Sequence, residues 1–596
     1  MSGAAGEMAR PEPEHPRPLL FRQSWWPLDG EWDFALDPDA RWRTPDEVVW
    51  TDHIQVPFSP ETESSGIGDT GFFKACWYRR RIATPRLDDR ARLLLHFGAV
   101  DYFARVWADG VRCGEHEGGY TPFTVNLTAL ARDGSMTIVV RAEDDPADLA
   151  KPRGKQDWQL EPHSIWYPRT TGIWQTVWLE AVPETAIHTL RWTPSLERWE
   201  ISLDATIDGD PAPGSRLELR LIAGGRTIAN DVYEIFSGDV NRRIALSDPG
   251  VDDSRNELLW SPESPTLVDA DVRLLDASGR CIDRVSSYTA LRSIGVQGDR
   301  IVLNGRPYPL RMVLDQGYWP RSGLTPPDDA AIRRDIDLVK AMGFNGVRKH
   351  QKIEAPRYLY WCDRLGLLVW EEMPSAYRFT TEAIGRVTRQ WIEVLARDHS
   401  HPCIIAWVPF NESWGVPNLP DSPSERHWVE ALYHLTKTID PTRLVIGNDG
   451  WESVATDVIG IHDYDHLPEP IAVRYRSNEN RPQLFRHARP GGRMLVLGGP
   501  AHLEHPVVLS EFGGIALSSD TKGTWGYHRC ETATELAGVY ASLLEAVRSG
   551  DLLAGFCYTQ FADTFQEANG LLLADRTPKF ALEEIAYATR GPPKAR

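Results

Sequence analysis

The chain has 596 residues, too many for one core, and its 42% hydrophobic and 25% charged residues are ordinary for a globular protein of several domains. Its 65 Lys+Arg against 84 Asp+Glu leave a net charge of −19, which argues against nucleic acid or anionic lipid as a general partner but not against a neutral substrate. Seven scattered Cys without a CxxC pair argue against a zinc site, and no run of about eighteen apolar residues offers a membrane span.

Residues 1–17 hold no apolar stretch of the secretory kind and read as a short disordered lead. With the odd Cys count, this fits reduced thiols and a cytoplasmic protein, with homo-oligomerisation left open. Residues 18–182 are all-β in pattern: short alternating runs such as "SMTIVVRAED" and "GIWQTVWLEAV", and a hairpin "YFARVWADGVRCG" turning on Asp109-Gly110. A β-sandwich of the jelly-roll kind follows. Residues 183–293 stay β, with more polar strands such as "RLELRLIAG", as in a small immunoglobulin-like sandwich.

From residue 294 to 596 the pattern changes. "DRIVLNGRPYPLRMVL" is a hairpin on Asn304-Gly305 running into a strand, after which helices alternate with strands. "TPPDDAAIRRDIDLVKAMG" is a Pro-started, Gly-stopped helix with Asp328 and Asp329 in its first turn and Ile332, Ile336, Val339 and Met342 on one face. The strands are "PLRMVLD", "FNGVRKH", "LLVWEEM", "IIAWVPFNE", "RLVIGND", "DVIGIHDY", "PVVLSEFGG" and "AGFCYTQ". Eight strands with helices between them predict a (β/α)₈ barrel. The polar, Arg/Pro-rich stretch 466–503 reads as a long loop that is either functional or disordered.

Active sites of such barrels sit at the C-terminal ends of the strands. Glu412 ends the fourth strand and Glu511 the seventh, so they face each other across the mouth. Two carboxylates about 5–5.5 Å apart cleave a glycosidic bond with retention, one as nucleophile and the other as acid and then base. Their mutual repulsion is expected to keep the acid protonated. Asn411 is placed to reach the sugar 2-hydroxyl, Arg348 to keep the nucleophile ionised, and Tyr464 to hold it. His462 reads equally as a substrate contact or a loop hydrogen-bonder, and for Arg348 pairing with an acidic loop is the alternative. Glu371 and Glu372 also follow a strand; neighbouring residues there point in opposite directions, and both read as mainly structural. Most of the 23 Trp read as core, with those near polar strand ends suited to stacking on sugar.

The chain resembles the family 2 glycoside hydrolases, the group of β-galactosidases, β-glucuronidases and β-mannosidases. "WWPLDGEWDFALD" and "RTTGIWQTVWLE" are similar to that family's sugar-binding-like jelly roll, and "LWSPESPTL" to the end of its immunoglobulin-like domain. "MGFNGVRKHQKIEAPRYLYWCDRLGLLVWEEMP" resembles its second and third barrel strands. "WVPFNESWG" resembles its acid/base motif and "VVLSEFGG" its nucleophile motif, which implies proton donation by Glu412 and attack by Glu511. The resemblance implies a retaining exo-β-glycosidase with a carbohydrate as partner; no cofactor is expected, and no residues are assigned to a metal, since the metal ligands of the large β-galactosidases have no counterpart that can be placed here. His350, Asp315, Trp525, Tyr558 and Gln560 join Asn411, Arg348, His462 and Tyr464 as candidate sugar contacts.

Departures bear on the sugar. Gln351 stands where the family often has His, and "VLDQGYWP" replaces the usual first loop, so Asp315, Gln316 and Tyr318 face the sugar in another arrangement. "EANGLLLADRTPK" lacks the Asn-x-Lys element that grips a uronic carboxylate in the β-glucuronidases. Tyr558 and Thr559 stand where a Trp is common. A β-galactoside-like substrate is favoured, with a β-mannoside, a β-uronide or an α-L-arabinopyranoside as alternatives, and a non-catalytic carbohydrate-binding protein as the reading from another class.

Overall fold

The structure, a computed structural model, describes residues 15–592 apart from 89, 132–133, 249, 252–254, 486–489, 498–503 and 518–522. Residues 1–14 of the expected lead lie outside them. Residues 15–17 are not loose: His15 is buried edge-on between Phe21 and Trp25, and Arg17 pairs with buried Glu180 at 2.7 Å. Two aromatic faces and a buried acid hold these residues, which composition alone marks as tail.

The first domain is a sandwich. A six-stranded antiparallel sheet runs Asp52–Val56, Gly30–Asp37, Ala75–Thr84, Gly134–Glu143, Phe103–Ala108, Val111–Glu117, and a four-stranded one runs Trp25–Pro27, Val177–Pro183, Ala91–Phe97, Phe123–Asn126. Inward residues of both, among them Trp32, Phe34, Tyr78, Leu95, Val106 and Ile138, form one core. Asp109 and Gly110 both have positive φ, the turn that the twist of a hairpin requires. A second sandwich pairs Ala186–Ser195, Glu200–Asp208 and Asp239–Ala245 with Arg226–Glu234, Arg216–Ala223, Val268–Leu275 and Cys281–Thr289 around Trp192, Leu203, Leu219 and Val272.

The eight expected barrel strands form one curled parallel sheet. In chain order they are Leu310–Asp315, Gly346–Lys349, Leu368–Glu372, Ile404–Val408, Leu444–Val445, Ile459–His462, Val507–Gly513 and Leu553–Thr559. Their spatial order is 5-4-3-2-1-8-7-6, the cyclic order of a barrel, and the His462 amide donating to Gly450 O at 3.3 Å joins the ends of the fifth and sixth strands. The fully buried strands read as apolar runs because both faces are covered. Asp328 caps the first barrel helix, Asp329–Ala341, by accepting from the Ala331 amide, and Ile332, Ile336 and Val339 face the core. No helix among the described residues is long and apolar enough to cross a membrane, and all seven cysteines are unpaired.

Stretch 466–503 is not a bare loop where it is described. It carries the helix Pro468–Arg474, and Ile471, Tyr475, Leu484, Phe485 and Leu495 are buried in the barrel's core cluster. These apolar residues are diluted by a polar composition, which hides them from a periodicity reading.

The jelly roll grips the barrel mouth. Its segment 150–170 sends the Arg153 and Gly154 amides to Ser375 O at 3.0 and 3.1 Å, Trp166 Nε1 to the Tyr377 hydroxyl at 2.8 Å, and the Tyr167 hydroxyl to Glu567 at 3.0 Å. Lower down, Arg386 on the helix Thr381–Asp398 pairs with Glu117 and Asp148 of the jelly roll, each at 2.8 Å.

Candidate active site

The fourth, sixth and seventh strands end in side chains that converge at the mouth. Glu412 and Ser413 have φ of +50° and +55°, a left-handed conformation that costs non-glycine residues energy and that surrounding bonds must hold. The Glu412 amide donates to Asp449 O at 3.0 Å, and the Ser413 amide and hydroxyl are fixed by Asn448 and Glu452 at 2.9 and 2.6 Å. The bend aims Glu412 at the sixth and seventh strands.

There the two glutamates converge. One oxygen of Glu412, one oxygen of Glu511 and a ring nitrogen of His462 lie within 4.8 Å of one another. His462 bridges them, with Nδ1 2.7 Å from Glu412 and Nε2 3.3 Å from Glu511 and 3.2 Å from Asp449. Arg348, fully buried, reaches Glu511 at 2.9 Å, Asp449 at 3.0 Å, Asn411 Oδ1 at 2.6 Å and Ser510 O at 3.0 Å, and pairs closely with Glu372. The Tyr464 hydroxyl donates a short bond to Glu511 and lies 3.2 Å from Thr559 Oγ1.

These contacts set the charges. Burial opposes an imidazolium at His462, but Glu511, Asp449 and Glu412 around it push its pKa up to about 10, so it is protonated at neutral pH. Burial likewise opposes charge on Glu412, yet His462, with Lys155 and Arg348 beyond, holds its carboxyl below the usual range. Asp449 is held down to about 2 against burial by Arg348 and His462. Burial and the charge of Glu511 keep the Tyr464 phenol protonated, as its donation requires. The expectation that mutual repulsion keeps Glu412 protonated is therefore corrected: a cation stands between the two acids and carries the proton instead. Among the described residues these three groups are the set whose donor atoms converge enough for a metal, but both nitrogens of an imidazolium carry hydrogen and offer no lone pair.

The other expected contacts divide. His350 donates from Nδ1 to Glu372 at 2.9 Å, and burial and Arg348 hold it neutral. Gln560 is buried, bonded to Asn569 at 2.6 Å and Glu567 at 3.3 Å. Trp525 lies at the rim, its Nε1 on Ser164 O of the jelly roll at 2.9 Å. Asn411 is bonded to Arg348, and its Nδ2 is buried without a partner. Asp315 is not brought to the carboxylates: it pairs with Lys349 at 2.6 Å in a neighbouring network with Glu354 and Lys352. Tyr558 is not brought to them either. It is sealed against Tyr540 and Phe512, because strand alternation turns Thr559, not Tyr558, toward the nucleophile. Tyr318 packs on Tyr167 and Phe565. Glu371 lies by Arg397, at 4.0 Å, on the other side of its strand from Glu372, which anchors both Arg348 and His350.

Sequence reasoning missed Asp449, Ser510 and Lys155, and gave Trp414 no named role. Trp414 donates to Glu412 from Nε1 at 3.3 Å and belongs to an aromatic rim with Trp166, Tyr377 and Trp451, at ring separations of 5.6, 5.4 and 5.9 Å. "FNESWG" already displayed that indole two residues beyond the acid. Clefts of about 450 Å³ beside Trp174 and about 670 Å³ beside Arg191 lie at domain junctions and are lined by neither carboxylate, so converging charge, not volume, marks the site.

Two carboxylates converging at the rim of a parallel barrel, behind two β-sandwiches, give the layout of a barrel glycosidase. Three family descriptions match in the same order: "Glycosyl hydrolase 2 galactose-binding domain-like" over residues 59–175, "Glycosyl hydrolases family 2" over 185–292, and "Glycosyl hydrolases family 2, TIM barrel domain" over 294–524. The chain belongs to glycoside hydrolase family 2. It is 28% identical over 347 residues to a β-galactosidase of Thermoanaerobacter pseudethanolicus, covering 56% of this chain and 44% of that one. It is 24% identical over 642 residues to the β-glucuronidase of Rattus norvegicus, covering 95% and 91%. The chain spans about half the length of several bacterial relatives it matches, 44% to 56% of each. A β-galacturonidase of Eisenbergiella tayi has the same fold, with a TM-score of 0.72 at 20% identity over 97% of this chain and 98% of that one.

Proposed function

We propose that the protein is a retaining β-glycosidase that removes a terminal, non-reducing sugar by double displacement. The observation that carries this is that one oxygen of Glu412 and one of Glu511 lie within 4.8 Å of each other, close enough for both acids to work on one anomeric carbon as a retaining enzyme requires. Glu511, ion-paired to Arg348 and fixed by Tyr464, attacks the anomeric carbon. The leaving oxygen takes a proton from Glu412. That proton comes from His462 Nδ1, 2.7 Å away, whose transfer leaves a neutral imidazole beside a neutral acid. Glu412 then deprotonates the water that releases the sugar, and the proton returns to His462. Segment 150–170 of the jelly roll, bonded to Ser375 on one side and Glu567 on the other, crosses part of the mouth, which supports binding of a chain end over a chain interior. For the sugar, the sequence departures favour a β-galactoside-like substrate, and relatives of this chain are named for both galactoside and glucuronide hydrolysis.

The test is turnover of nitrophenyl glycosides. Glu511→Gln is expected to abolish it with the circular-dichroism spectrum unchanged. Glu412→Ala is expected to slow poor leaving groups by about 10²–10⁴-fold, with azide restoring part of the rate. Release of the α-anomer first, read by NMR, would overturn retention.

A further inference from the structure

Five lysines are buried among the described residues: Lys151, Lys155, Lys349, Lys352 and Lys579. Four have anionic partners. Lys151 pairs closely with Asp144, Lys349 with Asp315 and Glu354, Lys352 with Glu354 at 2.9 Å and Lys579 with Asp563 at 2.6 Å. Lys155 is 5% exposed, and its ammonium makes no hydrogen bond or ion pair with any described residue. The stem of Lys155 is packed while no described acid answers its charge, so the ammonium is placed to meet an anion that enters the mouth.

Its place is fixed by the backbone. Gly154, with φ of +59°, lies so close to Gln351 O that a Cβ would stand 2.5 Å from it, and the amides of residues 153 and 154 are tied to Ser375 O. Lys155 therefore projects at the ends of the second and third barrel strands. Its charge acts on Glu412, on His350 and on Glu567, which belong to three separate parts of the mouth. Glu567, the acid that would otherwise answer it, is taken up by Tyr167 at 3.0 Å, Asn569 at 3.2 Å and Gln560 at 3.3 Å. The Tyr167 ring lies 5.8 Å from the ammonium and walls it on one side.

We propose that Lys155 receives an anionic group of the sugar being cleaved, the carboxylate of a β-linked hexuronic acid. This rests on the glycosidase reading above and replaces the neutral hexose that the sequence favours. The grip is supplied by the jelly roll, so the missing Asn-x-Lys element of the barrel does not count against it. A bound carboxylate pairs with the ammonium, whereas a neutral sugar would cover it without answering its charge, and sites built this way reject the analogue lacking the group.

The test compares kcat/KM for nitrophenyl β-D-galacturonide and β-D-glucuronide with that for the corresponding neutral galactoside and glucoside, and with 6-sulfated nitrophenyl β-D-galactoside. The wild type is expected to favour one uronide by about 100-fold or more, mainly through KM. In Lys155→Met that ratio collapses, and in Lys155→Arg part of it survives. A wild-type preference for a neutral or sulfated sugar, or an equal loss on charged and neutral substrates in Lys155→Met, overturns the proposal. Calorimetric binding of free galacturonate and glucuronate to Glu511→Gln, with and without Lys155→Met, reads recognition without turnover. Uronate binding that needs Lys155 in a protein without any turnover would sink the glycosidase reading and leave Lys155 as the anchor of a bound uronate that is not cleaved; no uronate binding would sink the Lys155 assignment alone.

Discussion

Arg348 and His462 hold the two acids from opposite sides. Arg348 is a permanent cation that fixes Glu511, while His462 is a cation only as long as Glu412, Glu511 and Asp449 surround it. The pH consequences differ accordingly. The pKa of His462 rises from an ordinary 6.5 to about 10 on folding, so its contribution to stability is complete below pH 6.5 and is lost as pH climbs toward 10. The melting-temperature gap between wild type and His462→Asn is therefore expected to be widest near pH 6 and to close toward pH 10. Removing the imidazolium also removes the group that holds the proton for Glu412, so the high-pH limb of the pH–rate profile, set at about 10 in the wild type by loss of that shared proton, is expected to move to lower pH in the variant. A profile that stays put would show that the proton is not shared. Glu412, Glu511, Arg348 and Tyr464 were legible because each ends an apolar run where a barrel opens. Asp449 was not, since Asp-Gly reads first as a turn. Tyr558 was misplaced by one residue because nothing in the run "CYTQ" anchors which alternate side faces inward.

At the scale of elements, the barrel strands and their helices were legible through periodicity and caps, as Asp328 and Gly366 illustrate. The segment 150–170 was not, because its structure is made by partners two hundred or more positions away, such as Ser375 and Glu567. Its pivot is Gly154. Alanine there adds a methyl against Gln351 O in a left-handed backbone, a penalty of about 1–2 kcal/mol before the clash is counted. Gly154→Ala is expected to lower the melting temperature by a few degrees and kcat/KM by about 10- to 100-fold, since displacement of positioning groups by an ångström suffices for that. Unchanged kinetics would mean that the segment does not position substrate.

At the scale of the molecule, the three domains share ionic and polar seams. Arg386 is the hub of one, joining the barrel helix to Glu117 and Asp148 of the jelly roll while also meeting Glu382 at 2.8 Å. It is 17% exposed, so solvent screens the pairs only in part. Arg386→Ala is expected to cost about 1–2 kcal/mol and to split a single calorimetric transition by letting the jelly roll loosen first. A single unshifted peak would mean that apolar contacts alone couple the domains. Domain order followed from composition and strand pattern, but no local signal pairs residue 117 with residue 386.

The aromatic rim beside Glu412 is assembled by two domains: Trp166 comes from the jelly roll, and Tyr377, Trp414 and Trp451 from the barrel. The half of the molecule that breaks the bond is thus partly separate from the half that greets what departs. Edits to one stretch of an accessory module can retune which alcohols leave well, while the acids, their cations and the reaction they perform stay as they are.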